Sequence, residues 1–270
     1  MTRAGGRRVL ALLAAVLAVV GVVAALAPLR TVQRPAPAAR EVSAPSDEQP
    51  AARRPRPGPP HVVVLGDSVP AGTACNCGGF GALLAAHETA GLSNLAAAGL
   101  TSGGLLQQVQ QDAEVEAALR RATAVTITVG ANDFDAGPVA DRDCADLSCW
   151  AGTSARLTAT LDHLLDRVGA LVPPTTRVVL TGYWNVFLDG AVGAAQGPRY
   201  VATSDALTRQ VNALVARAAG VHGALYADVY TPFKGEGNGD DTELLAPDGD
   251  HPNSAGQGVL AAAIERALAA

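Results

Sequence analysis

His61-Val62-Val63-Val64-Leu65-Gly66-Asp67-Ser68 is an apolar, β-branched run cut off by a glycine. That pattern marks a short strand buried on both faces. Beyond it, Gly81 to Thr89 reads as a helix and Leu92 to Ala97 as a weaker strand. Ser102 to Arg121 reads as a helix with a break near Asp112. Ala124-Val-Thr-Ile-Thr-Val129 is the plainest strand of the chain, and it too ends at a glycine, Gly130. Leu157, Leu161, Leu164, Leu165, Val168 and Leu171 recur at helical spacing, and Arg177 to Leu180 is the next strand. Leu207, Val211, Leu214 and Val215 mark another amphipathic helix. Ala224 to Asp228 is a fifth strand, and Ala255 to Ala269 closes the chain as a helix. Strands that alternate with helices predict an α/β fold, with a mainly parallel sheet and helices on both faces. Functional groups in such a sheet collect at the carboxyl ends of the strands.

Upstream of His61 the composition changes. Residues 1–60 carry nine Arg against three acidic residues, whereas residues 61–270 carry eleven basic residues against 22 acidic ones. A folded part this acidic excludes nucleic acid as a partner, since backbone binding needs a basic surface. Arg3, Arg7 and Arg8 precede 21 uncharged residues, Val9 to Leu29. At ~1.5 Å per residue this run spans a bilayer core of roughly 30 Å. Residues 1–29 are therefore expected to be a signal peptide or a signal anchor. The anchor is favoured because Pro28 comes directly after the small-residue site at Ala25-Leu26-Ala27. Residues 30–60 hold eight prolines and read as an extended linker. Residues 61–270 form the folded domain, extracytoplasmic and either membrane-anchored or secreted.

The turns at the strand ends carry the chemistry. Gly66-Asp67-Ser68 with Gly72 succeeds the first strand, Gly99 the second, Gly130-Ala-Asn132-Asp133 the third, and Asp248-Gly-Asp-His251-Pro252 the fifth. Each element alone is a common turn; four of them in this order, each at a strand end, are specific. Over roughly residues 61–268 the chain resembles the SGNH, or GDSL, hydrolase superfamily. The resemblance implies a flavodoxin-like three-layer α/β/α sandwich with a mainly parallel five-stranded sheet. It also implies a serine esterase or acylhydrolase. Val69 and Pro70 stand where Leu and Thr are common, and neither carries the chemistry.

Acyl transfer needs a nucleophile, a base, a group that orients the base, and an oxyanion hole. Ser68 is the candidate nucleophile. Among the histidines, His61 and His222 fall at the wrong ends of strands, and His87 and His163 lie inside helices. His251, on a loop at the carboxyl side, is the base by elimination. Asp248 is expected to orient it, with Asp250 as the alternative. The family pattern assigns the oxyanion hole to the Ser68 and Gly99 N–H groups and the Asn132 side-chain amide. Asp67 and Asp133 are expected to order the loops around Ser68 and Asn132. Pro70 breaks the G-x-S-x-G elbow. Neither a G-x-x-x-x-G-K-[ST] phosphate loop nor an H-E-x-x-H zinc helix is present, so no cofactor or metal is expected. The run Gly235 to Asp241 reads as a solvated acidic loop rather than a calcium site. The expected substrate is a small-molecule, lipid or glycan ester, O-acetyl esters included, and the expected state is a monomer. The alternatives are an envelope glycan O-acyltransferase and a non-catalytic glycan-binding module. Tyr183, Trp184, Trp150 and Phe187 are candidates for an acyl pocket or for core packing.

Four cysteines in an exported domain, Cys75, Cys77, Cys144 and Cys149, predict two disulfides. In a flavodoxin-like strand order the loops after the first and third strands emerge side by side. A crossed pairing between the two cysteine pairs is favoured slightly over local bridges, because a C-x-C bridge closes a small ring.

Overall fold

The computed structural model describes residues 58–135, 139, 144, 146–235 and 237–270; the expected leader and most of the linker lie outside them. The first strand, β1 (His61–Gly66), forms as its side chains demand. Val62, Val63, Val64 and Leu65 are all buried, so the run has no solvated face and no alternation. A four-residue helix, α1 (Ser68–Ala71), comes at once, then α2 (Gly79–His87) and β2 (Gly91–Asn94). Next come α3 (Ser102–Gln111), α4 (Ala113–Leu119), β3 (Ala124–Thr128), α5 (Ala151–Leu171) and β4 (Arg177–Thr181). The chain continues with α6 (Gly190–Ala195), α7 (Pro198–Val221), β5 (Leu225–Ala227), α8 (Tyr230–Lys234) and α9 (Ser254–Ala269).

The strands lie in the order β2-β1-β3-β4-β5, and every pairing is parallel. This is the expected flavodoxin-like α/β/α sandwich. Right-handed crossovers put α2 on one face and α3, α5 and α7 on the other. Accordingly α2 packs on α9, while α3 packs on α5 and α5 on α7. The strand order reverses between β1 and β3, the place where doubly wound sheets open a crevice. Ser68 lies just past one of these strands and Asn132 just past the other.

Local sequence explains the boundaries. The break near Asp112 is a hinge between two helices. Asp112 adopts an extended conformation, ends α3, and its Oδ1 accepts the N–H groups of Glu114 and Val115 at the start of α4. Such capping stabilises a helix start by ~1 kcal/mol. The strand expected to reach Ala97 is regular only to Asn94. Its ladder nevertheless runs on, since Leu95 N–H donates to Val64 O and Ala97 N–H to Gly66 O. Among the described residues no helix is long and apolar enough to cross a membrane.

The cysteines pair locally, Cys75 with Cys77 and Cys144 with Cys149, at Cα–Cα distances of 5.2 and 5.4 Å. The crossed pairing is therefore wrong. Ala74 and Asn76 both take left-handed backbone (φ 60° and 49°), which curls the loop and brings Cys75 back to Cys77. Leu147 does the same between Cys144 and Cys149 (φ 65°), with its N–H donating to Cys144 O.

Candidate active site

Asp67 sets the geometry of the nucleophile segment. Its N–H donates to Thr128 O of β3, and its Oδ1 accepts the N–H of Val69, capping α1. Ser68 is the first residue of that helix and is half-buried. Gly66, just before it, has φ 131°, and a Cβ there would collide with the Thr128 carbonyl. Only glycine lets β1 run this close to β3 and still turn into the helix.

The second and third segments are tied to each other. Asp133 accepts from both Ser102 N–H (2.8 Å) and Ser102 Oγ (2.6 Å) at the start of α3. Asn132 Nδ2 donates to Leu100 O at 3.2 Å, which places its amide beside Gly99. Gly99 has φ 77° and, like Asn132, is exposed. The loop after the fifth strand closes on itself through a bridge between Leu245 and Pro252 and through Ala246 N–H to His251 O. Within it Asp248 grips His251 twice, by Oδ1 to the main-chain N–H (3.1 Å) and by Oδ2 to Nδ1 (2.9 Å). Asp250 stands 3.7 Å from the same nitrogen, outside hydrogen-bond reach. With Nδ1 committed to Asp248, the Nε2 lone pair is left as the basic site. Among the described residues no hydrogen bond joins Ser68 Oγ to His251 Nε2; such contacts often tighten only around bound substrate.

This set of turns at the carboxyl end of a parallel sheet coincides with a sequence match. The model of the GDSL-like Lipase/Acylhydrolase family covers residues 64–259. The chain belongs to that family. It is an ester-hydrolysing serine hydrolase. Solved structures of similar fold include phospholipase A1 from Streptomyces albidoflavus NA297. That protein is 23% identical with a TM-score of 0.57, covering 78% of this chain and 100% of that one. An extracellular lipase from Streptomyces rimosus is 25% identical with a TM-score of 0.54, covering 77% and 99%. The lipase Lip_vut3 from a goat rumen metagenome is 18% identical with a TM-score of 0.58, covering 77% and 97%. No curated protein matches this GDSL-like hydrolase by sequence.

Gln257, which no sequence pattern marks, and Tyr183, expected only to line a pocket or pack the core, brace its loops. Gln257 of α9 is fully buried. Its Oε1 accepts from Phe80 N–H and its Nε2 donates to Val69 O, locking α9 to α1 and α2. Tyr183 donates its hydroxyl to Asp67 Oδ2 at 2.5 Å. Tyr183 and Trp184 are both fully buried, so they belong to the core and do not line an acyl pocket. Trp184 stacks on Phe233 with ring centroids 4.8 Å apart. Trp150 is buried too, donating to Asp135 O, and Phe187 is half-buried against the core. The acidic run is also not wholly solvated, because Asp241 is buried beside Lys234.

Three carboxyls here titrate high. Burial pushes Asp67 up to about 7, against the pull of its hydrogen bonds from Tyr183 and Val69. Burial raises Asp250 to about 6, with the His251 charge opposing, and raises Asp241 to about 7. Asp248 differs: burial would raise it, but hydrogen bonds from His251 and Asp250 hold it below the usual range. A carboxyl with a raised native value binds protons that the unfolded chain has already lost. Stability from these three is therefore full below about pH 4 and is lost as pH rises toward 7. The melting temperature is expected to fall steadily from pH 5 to pH 8, as circular dichroism would show. A melting temperature that rises over that window contradicts the assignment.

Proposed function

We propose that residues 61–270 are an extracytoplasmic serine esterase acting through an acyl-enzyme. Ser68 is the nucleophile, His251 the base, and Asp248 the group that orients it. The observation that carries this reading is the double grip of Asp248 on His251. It leaves Nε2 free to take a proton, on the loop after the fifth strand. Ser68 Oγ attacks the ester carbonyl carbon while its proton passes to His251 Nε2. The developing oxyanion takes hydrogen bonds from the N–H groups of Ser68 and Gly99 and from the Asn132 amide. The C–O bond to the alcohol then breaks, and the alcohol leaves with the proton from His251. Water, deprotonated by His251, attacks the acyl carbon, and Ser68 recovers its proton as the acid departs.

The extracellular lipase at 25% identity supports a lipid or other carboxylic ester as substrate. With the two disulfides, it also supports export of the domain, with residues 1–29 as the export segment and 30–60 as the tether. The test is hydrolysis of p-nitrophenyl esters of rising chain length and of acetylated sugars, together with labelling by a fluorophosphonate. Hydrolysis with labelling at Ser68 is expected. Labelling at no serine sinks the reading.

Asn132→Ala removes one oxyanion donor from an exposed side chain. It is expected to lower kcat by ~10²–10³-fold while leaving the melting temperature near that of the wild type. An unchanged kcat shows that the amide does not serve the oxyanion.

A further inference from the structure

Tyr183 lies just past β4, a strand that contributes none of the four catalytic segments. Its main chain is held from both sides by one side chain of α7. Tyr183 N–H donates to Asn212 Oδ1 at 2.8 Å, and Asn212 Nδ2 donates to Tyr183 O at 2.7 Å. The ring is buried edge-on to Trp184, with centroids 6.4 Å apart. From this anchored ring the hydroxyl reaches two places at once. It donates to Asp67 Oδ2 at 2.5 Å and accepts from Ala131 N–H at 3.5 Å. Asp67 immediately precedes Ser68 and caps its helix; Ala131 immediately precedes Asn132 and begins its 3₁₀ turn, Ala131–Asp133.

We propose that Tyr183 is a positioning residue that fixes the spacing between Ser68 and Asn132, with Asn212 in turn fixing Tyr183. The inference rests on the esterase reading, in which these two residues are nucleophile and oxyanion donor. The physical argument is that α1 has four residues and is too short to hold Ser68 by its own hydrogen bonds. Its orientation depends on the Asp67 cap, and a buried carboxylate with one oxygen left unpaired rotates or takes up a proton to escape that cost. The phenol stops the rotation and works against the proton uptake. Because it also receives Ala131 N–H, the same oxygen is the reference point for the third segment. A displacement of ~1 Å between nucleophile and oxyanion donor costs about 10²-fold in rate.

Tyr183→Phe keeps the ring and its packing and deletes only the hydroxyl. In p-nitrophenyl ester hydrolysis it is expected to lower kcat by ~10²-fold and to change KM by less than about twofold. A residue that merely fills the core would lower the melting temperature without this split. Tyr183→Phe combined with Asn132→Ala is expected to lose less than the product of the two single losses, because both spoil the same geometry. Asn212→Ser frees the Tyr183 main chain but keeps the phenol. It gives the same split at smaller size, and it carries the test should Tyr183→Phe not fold. An unchanged kcat in both variants, a loss carried by KM, or losses that multiply would overturn the inference. If the wild type neither hydrolyses the esters nor labels with fluorophosphonate, it is the esterase reading that fails. The side-chain amide resonance of Asn132, which needs no turnover, then decides the inference. It must shift in Tyr183→Phe and in Asn212→Ser, and an unmoved resonance in both overturns it.

Discussion

Ser68→Ala is expected to lower kcat for ester hydrolysis by about 10⁴- to 10⁶-fold, and His251→Ala by a similar factor. In the proposed mechanism the two side chains act on one proton, so the double variant is expected to be no worse than either single one. Asp248→Asn is expected to cost less than either. An asparagine oxygen still accepts the His251 main-chain N–H that Asp248 Oδ1 accepts at 3.1 Å. Asp250 also stands 3.7 Å from Nδ1, a short movement from replacing the lost bond. The measurement is steady-state kinetics on a p-nitrophenyl ester, with active sites counted by fluorophosphonate. Because the base must be unprotonated, kcat/KM also falls toward acid pH, the direction in which the fold itself gains stability. A Ser68→Ala variant that keeps turnover within about tenfold of the wild type would remove Ser68 from the mechanism.

The positions legible in the sequence share one property: their role is decided within a few residues of chain. The strand at Val62–Leu65 is buried on both faces and therefore reads as an unbroken apolar run. Asp112 caps its own downstream helix, so the break is visible as a local pattern. Asp248 and His251 are three residues apart on one loop, and their hydrogen bond accords with that spacing. The Tyr183 contact to Asp67 spans 116 residues, and the Gln257 contact to Val69 spans 188. No periodicity or turn chemistry announces such pairs. The cysteine pairing is hidden from the sequence for a different reason. Strand order correctly makes β1 and β3 neighbours, but the pairing is decided inside each loop. There Ala74, Asn76 and Leu147 take a backbone conformation that side chains usually avoid.

Lys234→Met is expected to destabilise the fold by ~3–5 kcal/mol at pH 8, a large share of a domain's usual stability. Lys234, the only lysine in the chain, ends α8 with its side chain buried between two aspartates. Its Nζ donates to Asp189 Oδ2 at 2.6 Å and lies 3.3 Å from Asp241 Oδ1. Taking three charged groups out of water is costly, and only their mutual attraction offsets it. Removing the ammonium leaves two carboxyls that repel each other in a dry site. Burial already raises Asp241 to about 7, the Asp189 charge pushes the same way, and Lys234 is what pulls it down. The orphaned carboxyls therefore escape by binding protons, so the loss is expected to shrink on going from pH 8 to pH 5. Adding Asp189→Asn is expected to recover part of it. The effect reaches the candidate active site, because Asp189 N–H donates to Gly249 O at 2.7 Å, inside the loop that holds Asp248 and His251. Gly249 has φ 70° and packs its α-carbon where a side chain would strike Val192, so the loop has little room to shift. Urea unfolding at the two pH values reads the difference directly. A Lys234→Met variant within about 0.5 kcal/mol of the wild type at pH 8 would show that the buried triad does not hold this corner of the fold.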